Sequence, residues 1–274
     1  MIEEILETKI KGIKKDDEGN WSTITQSNFS YREQGHVYIG EIEAKSFWYY
    51  HRNRSILSCL KKSEPDWILD IGGGNGIVSE LLEQNHIQSL LVEPGIDGVS
   101  HARRRKVKYI IHGSIHDLIF EDNSIPNVGL FDVLEHIELD IELLKTIYLF
   151  MKPGGRLFLT VPAYNWLWSK NDDDVGHFRR YTRKALKREL VPLGFDVEYS
   201  TYLFWVLPLF ILLFRKLLYR KKIRQKIELE HLTKARISNH IMIMILEIEK
   251  LFIHLNLSFP FGSTCLVVAR KRVN

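Results

Sequence analysis

Residues 66–76 read Asp66-Trp67-Ile68-Leu69-Asp70-Ile71-Gly72-Gly73-Gly74-Asn75-Gly76. The first half is an apolar run of strand character, and the second is a glycine turn of the kind that ends a buried strand and opens a helix. Glycine suits such a turn because a Cβ would block positive φ angles and close approach of a ligand to the backbone. The helix that follows Gly76 then offers its first N–H groups to an anionic or polar ligand. Gly72, Gly74 and Gly76 form G-x-G-x-G, whereas the dinucleotide fingerprint requires glycine where Ile77 stands. The loop therefore reads as a nucleotide-cofactor site that is a poor match for NAD. Seventeen residues beyond Gly76, Ser89-Leu-Leu-Val-Glu93 ends a second apolar run in a carboxylate, which can accept both hydrogen bonds of a ribose diol.

Working outward, apolar runs at 67–71, 89–93, 107–111, 128–132 and 156–161 alternate with helical patterns such as Ile77 to Asn85 and Asp140 to Met151. Strand-helix alternation predicts a parallel sheet with helices on both faces and ligands at the carboxyl ends of the strands, where the glycine turn, Glu93 and Asp132 fall. A chain of 274 residues with 45% hydrophobic composition suits one domain with an elaboration. The net charge of +4 does not call for a nucleic-acid partner. Cys59 and Cys265, far apart and without C-x-x-C spacing, give neither a disulfide framework nor a zinc signature. Met1 to Glu7 lacks a basic and apolar leader, so a cytoplasmic location is expected.

The order of these features resembles the class I S-adenosylmethionine-dependent methyltransferases, in particular the broad type 11/type 23 group acting on small molecules and lipids. The resemblance covers about residues 45 to 200 and the C-terminal end. It rests on Ile68 to Gly76, Leu91 to Gly95, Gly113 to Asp117, Gly129 to Ile137 and Leu149 to Pro162. It implies a Rossmann-like, seven-stranded, mostly parallel α/β sheet with a helical insertion near the C-terminus, and S-adenosylmethionine as cofactor. Asp70 with Gly72, Gly73, Gly74 and Gly76 would hold the aminoacyl end, Glu93 the ribose hydroxyls, and Ser114 and Ile115 the adenine. The chain departs from the family where Ser114 replaces a common Asp and where no acid stands near Pro126; Asp117 and Asp122 are candidate substitutes.

Methyl transfer from a sulfonium requires alignment and, for a hydroxyl acceptor, help in removing a proton. Gly129-Leu-Phe-Asp132-Val-Leu-Glu135-His136 closes the fourth apolar strand with three groups able to act as bases or ligands, and His177 follows on the loop after the fifth strand. The set is similar to the acid-x-x-Glu-His plus distal His of small-RNA 2′-O-methyltransferases, and its first part to the Glu-x-x-Glu-His of ubiquinone-pathway O-methyltransferases. That likeness implies a divalent ion such as Mg held by Asp132, Glu135, His136 and His177. Alternatively Asp132 and His136 act without metal, His136 as general base, or these side chains serve only packing and capping.

Residues 161–181 make a long connection with Tyr164, Trp166, Trp168, three adjacent carboxylates and two arginines. It reads as an acceptor-binding lid in which Arg179 or Arg180 offers a forked donor to phosphate or carboxylate. Leu203 to Phe214 is an uninterrupted apolar run followed by Arg215 to Lys226. As a helix it covers only about 18 Å of a bilayer core about 30 Å thick. Residues 203–226 therefore read as an interfacial membrane contact, with burial in a homodimer as the other use. Residues 228–256 form a second apolar helix expected to pack on the first. The chain thus divides into an N-terminal helical cover (1–60), a core (61–202), an apolar helical insertion (203–260) and a last core strand (261–274). The expected acceptor is a small-molecule, lipid-like, quinone-like or glycan-linked compound methylated on oxygen. The rivals are an NAD-dependent oxidoreductase or epimerase, and a noncatalytic scaffold.

Overall fold

Strand β4 (Trp67–Ile71), with all five residues buried, lies inside a nine-stranded sheet. The computed structural model describes residues 2–17, 19–25, 46–212 and 236–273. Beside β4 on one side run β5 (Gln88–Glu93) and β6 (Tyr109–His112), on the other β8 (Ile125–Phe131) and β9 (Met151–Pro162), all parallel. Beyond β9, β11 (Thr264–Lys271) pairs antiparallel and is followed by β10 (Phe195–Leu203). The order β6-β5-β4-β8-β9-β11-β10 supplies the seven predicted strands.

Two more strands extend the sheet past β6, where a purely helical N-terminal cover was expected. β3 (Trp21–Thr23) pairs parallel with β6, and β2 (Ile13–Lys15) pairs antiparallel with β3. β1 (Ile10–Lys11) pairs with β7 (Ile119–Phe120) in a separate two-stranded ladder, after the short helix α1 (Ile2–Thr8). Three-residue strands are too short to show a period, which is why this segment looks unpatterned in sequence. Gly113 allows the edge strand its close approach, because a Cβ there would meet Thr23 Cγ2 at 2.2 Å. Of the predicted helical cover, the structure describes a helix from Phe47 to Ser63, and residues 26–45 lie outside the described residues.

Alternation along β4 divides the core. Trp67, Leu69 and Ile71 face one cluster, completed by α1, α5 (Asp140–Phe150) and α7 (Arg183–Leu190). Ile68 faces the other, completed by α2 (Phe47–Ser63), α3 (Ile77–Glu83) and the C-terminal α8 (Arg236–His254). A sheet covered on both faces needs apolar residues at consecutive positions, hence the runs without alternation in the sequence.

The apolar run 203–214 is not one helix. Leu203 ends β10, Phe204 turns with φ of 58°, and a helical segment occupies 206–212. Positions 213–235, including Arg215 to Lys226 and the predicted start of the second apolar helix, lie outside the described residues. Helix α8 buries Leu246 and Ile253 in the cluster that holds Ile56, Leu60 and Leu207, so it packs on α2 as well as on the first apolar segment. Glu249, fully buried, fixes this junction. Its Oε1 accepts from the His51 imidazole at 2.7 Å and from Phe204 N at 2.9 Å, and its Oε2 accepts from Trp205 N at 3.0 Å. A carboxylate taken out of water stays favourable only with such donors. Cys59 and Cys265 are free and buried. Replacing Glu249 by Ala strands three donors and is expected to cost about 3 kcal/mol in urea denaturation. Hydrogen exchange should then accelerate in α8 before it does in β4 and β5.

Candidate active site

Asp70, the fourth residue of β4, is fully buried. Its Oδ2 accepts from Ser79 Oγ at 2.7 Å, while Oδ1 has no hydrogen-bond partner among the described residues. Burial pushes its carboxyl up to about 6 against the opposing effects of Ser79 and Arg52. A buried carboxylate oxygen without a donor beside a glycine turn suits a cationic or N–H group of a ligand. Gly72, Gly74 and Gly76 all carry positive φ, between 53° and 71°. A Cβ at Gly73 would meet Leu91 Cδ1 at 2.5 Å and Asp70 Oδ2 at 2.6 Å, so this glycine is required by space. Nothing lies within 4 Å of a Cβ position at Gly74, which leaves that turn open on the side where a ligand backbone contact would form.

Glu93 closes β5 and makes two backbone contacts that the predicted ribose role did not include. Its Oε2 accepts from Gly74 N at 2.8 Å and its Oε1 from Gly95 N at 2.7 Å, so the carboxylate splints the glycine turn to the next loop. A carboxylate accepts up to about four hydrogen bonds, so splinting and diol recognition are compatible. Ser114 caps a short helical turn by accepting from His116 N, and Gly113 N binds Glu93 O at 2.9 Å, which keeps this turn beside β5. The Ile115 side chain sits in the core cluster with Leu118 and Phe120.

The four predicted metal ligands separate. Asp132, held at φ of 59° past the end of β8, forms an ion pair with Arg52 of α2. Arg52 lies under the faces of Trp48 and Tyr49, at 5.0 and 5.5 Å, and gives its Nε to Asn53. Asp132 is thereby drawn to the α2 side. Glu135, His136 and His177 remain together, each with a ligand atom within 4.8 Å of the others. The imidazole rings of His136 and His177 meet edge to face at 4.7 Å. Burial and the neighbouring His177 lower the His136 imidazole to about 4, so it is neutral at physiological pH. Burial, then the Asp132 charge, hold the Glu135 carboxyl well above the usual range, and its Oε2 has no hydrogen-bond partner among the described residues. Gly72 touches this second site, since a Cβ there would meet Val133 Cγ2 at 2.9 Å. The glycine turn and the Glu135-His136 turn are therefore adjacent.

The predicted lid is ordered internally. Residues Asn165–Leu167 form a helical turn and Lys170–Val175 the helix α6, whose capping box joins Ser169 and Asp172. The two arginines do not point outward as acceptor ligands. Arg180 forks onto both oxygens of Asp172 at 2.7 and 2.8 Å, and Arg179 pairs with Asp140 at 2.6 Å. Asp172, fully buried, also accepts from Ser169 N and from His177 Nδ1 at 2.8 Å each. With Nδ1–H given to Asp172, the other ring nitrogen of His177, Nε2, faces Glu135 Oε1 at 3.9 Å, a gap that a proton kept on the raised Glu135 carboxyl or a cation would occupy. Trp166 is exposed and stacks near Tyr164, which in turn stacks on Tyr202. Trp168 gives its indole N–H to Asp173.

Neither Arg52 nor Asp172 was singled out from sequence. Arg52 had a signal in Trp48 and Tyr49, four and three residues earlier on the same helix face. Asp172 had one in the Ser169-x-x-Asp172 capping pattern. Burial alone would push Asp172 up, but hydrogen bonds from His177, Arg180 and Ser169 hold it below the usual carboxylate range. A depressed carboxyl contributes stability that is complete at neutral pH and is lost as pH falls below about 4. Asp172→Asn should therefore cost about 2 kcal/mol at pH 7, measured by thermal denaturation, and flatten that acid limb.

Residues 46–200, more than half of the chain, match the model of the methyltransferase domain family. The probable S-adenosylmethionine-dependent methyltransferase of Mycolicibacterium smegmatis is 26% identical over 136 residues, covering 48% of this chain and 52% of that protein. The mitochondrial ubiquinone biosynthesis O-methyltransferase of Schizosaccharomyces pombe is 24% identical over 186 residues, covering 56% of this chain and 64% of that protein. The chain thus spans between about half and under two thirds of the length of these relatives. Among solved structures, phosphoethanolamine N-methyltransferase 2 of Haemonchus contortus in complex with S-adenosyl-L-methionine shares the fold. Its TM-score is 0.52 at 19% identity, over 80% of this chain and 52% of that one. With the strand order and the glycine turn on β4, the match to the family model makes this chain a member of the methyltransferase domain family, within the class I S-adenosylmethionine-dependent methyltransferases.

Proposed function

We propose that this protein transfers the methyl group of S-adenosylmethionine to an oxygen atom of a small-molecule, lipid-like, quinone-like or glycan-linked acceptor. The observation that carries the reading is the cluster of Glu135, His136 and His177, in which Glu135 stands two positions after Val133, the residue packed against Gly72. Bound S-adenosylmethionine supplies an electrophilic methyl group on a sulfonium. Asp70 and the turn Gly72 to Gly76 receive its aminoacyl end, Glu93 its ribose, and the Ser114 and Ile115 turn lies along its adenine. Neutral His136 accepts the proton that an acceptor hydroxyl loses as the new bond forms. The likeness to the ubiquinone biosynthesis O-methyltransferase of Schizosaccharomyces pombe makes a hydroxylated quinone ring the first acceptor to try.

A divalent ion is the second reading, and the grouping of one ligand atom each from Glu135, His136 and His177 within 4.8 Å of one another favours it. A metal held by Glu135, His136 and His177 would lower the pKa of a coordinated acceptor hydroxyl. Two imidazoles and one carboxylate suit Mn, Fe or Zn better than Mg. Asp132 is not part of this set because Arg52 holds it.

In isothermal titration the protein is expected to bind S-adenosylmethionine and S-adenosylhomocysteine and not NAD. Glu93→Ala should weaken binding by about tenfold or more, counting two charge-assisted hydrogen bonds at the ribose; equal affinity would remove Glu93 from the cofactor site. In turnover assays with a hydroxylated quinone, His136→Ala should lower kcat by about 100-fold. Loss of activity on chelation, restored by Mn and not restored in His177→Ala, would select the metal reading. Activity that survives chelation while still requiring His136 would select the metal-free base.

A further inference from the structure

Helix α8 is apolar on two opposite sides. Leu246 and Ile253 pack towards α2, whereas Met244, Ile248 and Leu251 form an outward stripe at i, i+4 and i+7, continued just past the helix end by Leu255, each between 53% and 71% exposed. A second exposed apolar group lies on the segment 206–212, where Leu209, Phe210 and Leu212 are between 40% and 49% exposed. Glu249 ties the two together, because it belongs to α8 and accepts the backbone amides of Phe204 and Trp205. Contiguous exposed apolar surface of this kind marks an interaction site.

The sequence joining the two elements identifies the partner. Residues 213–236 carry nine Lys or Arg and two Glu, and outside them the acidic residues of the chain outnumber the basic ones. The positive charge of this protein is thus concentrated in the stretch bracketed by its two exposed apolar elements. Apolar side chains flanking a cationic cluster match an anionic bilayer surface, where apolar groups enter the acyl boundary and cations meet headgroup phosphates. Among the described residues no helix is long and apolar enough to cross a membrane. We propose that the outer face of α8 and the segment 206–212 dock on an anionic lipid surface. This goes beyond the catalytic reading and holds whichever acceptor the active site takes.

Vesicle flotation of the full chain tests it, with vesicles of pure phosphatidylcholine against equal parts of phosphatidylcholine and phosphatidylglycerol. About tenfold more protein should float with the anionic vesicles, and raised salt should reduce the difference. The double variant Ile248→Asp with Leu251→Asp changes exposed positions only, so its thermal melt should match that of the unmodified protein while its flotation falls at least fivefold. Reversing Arg220, Lys221 and Lys222 to Glu should have the same effect. Flotation that ignores lipid charge, or that survives the two stripe substitutions, overturns the proposal. So does a protein that stays at the bottom of the gradient and sediments as a dimer dissociated by those substitutions, which would assign the face to a second copy.

Discussion

A carboxylate buried in protein must be met by donors, and this requirement organises the regions around the sheet that matter for function. Glu93 draws in the amides of Gly74 and Gly95 and so shapes the glycine turn. Asp172 draws in Arg180, Ser169 and His177 and so makes a rigid arm of what would otherwise be a long polar connection. Glu249 draws in His51 and the chain leaving β10, and thereby attaches the C-terminal helix to the fold. In each case one side chain satisfies groups that are distant in sequence. Substitution there disturbs geometry as well as charge.

Asp70 and Glu135 are different, because each keeps a buried oxygen for which the described residues provide no donor. Both carboxyls are raised above their ordinary values, chiefly by burial. Such groups are costly in a folded chain, and perturbed carboxyls in adjacent turns are typical of places where a ligand completes the structure. Gly72 against Val133 brings the two turns together, so the two unsatisfied carboxyls lie in neighbouring parts of the same region.

The sheet was readable because burial on both faces leaves unbroken apolar runs, and β4, β5, β8 and β9 all appear in the sequence as such runs. The glycine turn and Glu93 were readable because their spacing is local to one strand-turn-helix unit. The N-terminal strands were not, since β1, β2 and β3 have only two or three residues each and owe their conformation to the edges they pair with. The run 203–214 misled for a related reason. Uniform apolarity does not say where a strand ends and a helix begins, and the break at Phe204 is set by Glu249, 45 residues further on.

By itself the sequence determined the class of the fold, the position of the glycine turn, the carboxylate at the end of β5 and the proximity of Glu135 to His136. These depend on residue type and on separations of a few positions, which covalent geometry turns directly into structure. Only the tertiary structure decided that Asp132 belongs to Arg52, that Arg179 and Arg180 turn inward, and that His177 is oriented by Asp172 towards Glu135. Those outcomes come from competition between charged groups for a limited number of partners. Which pair forms depends on how the separate segments pack, and no local pattern encodes it.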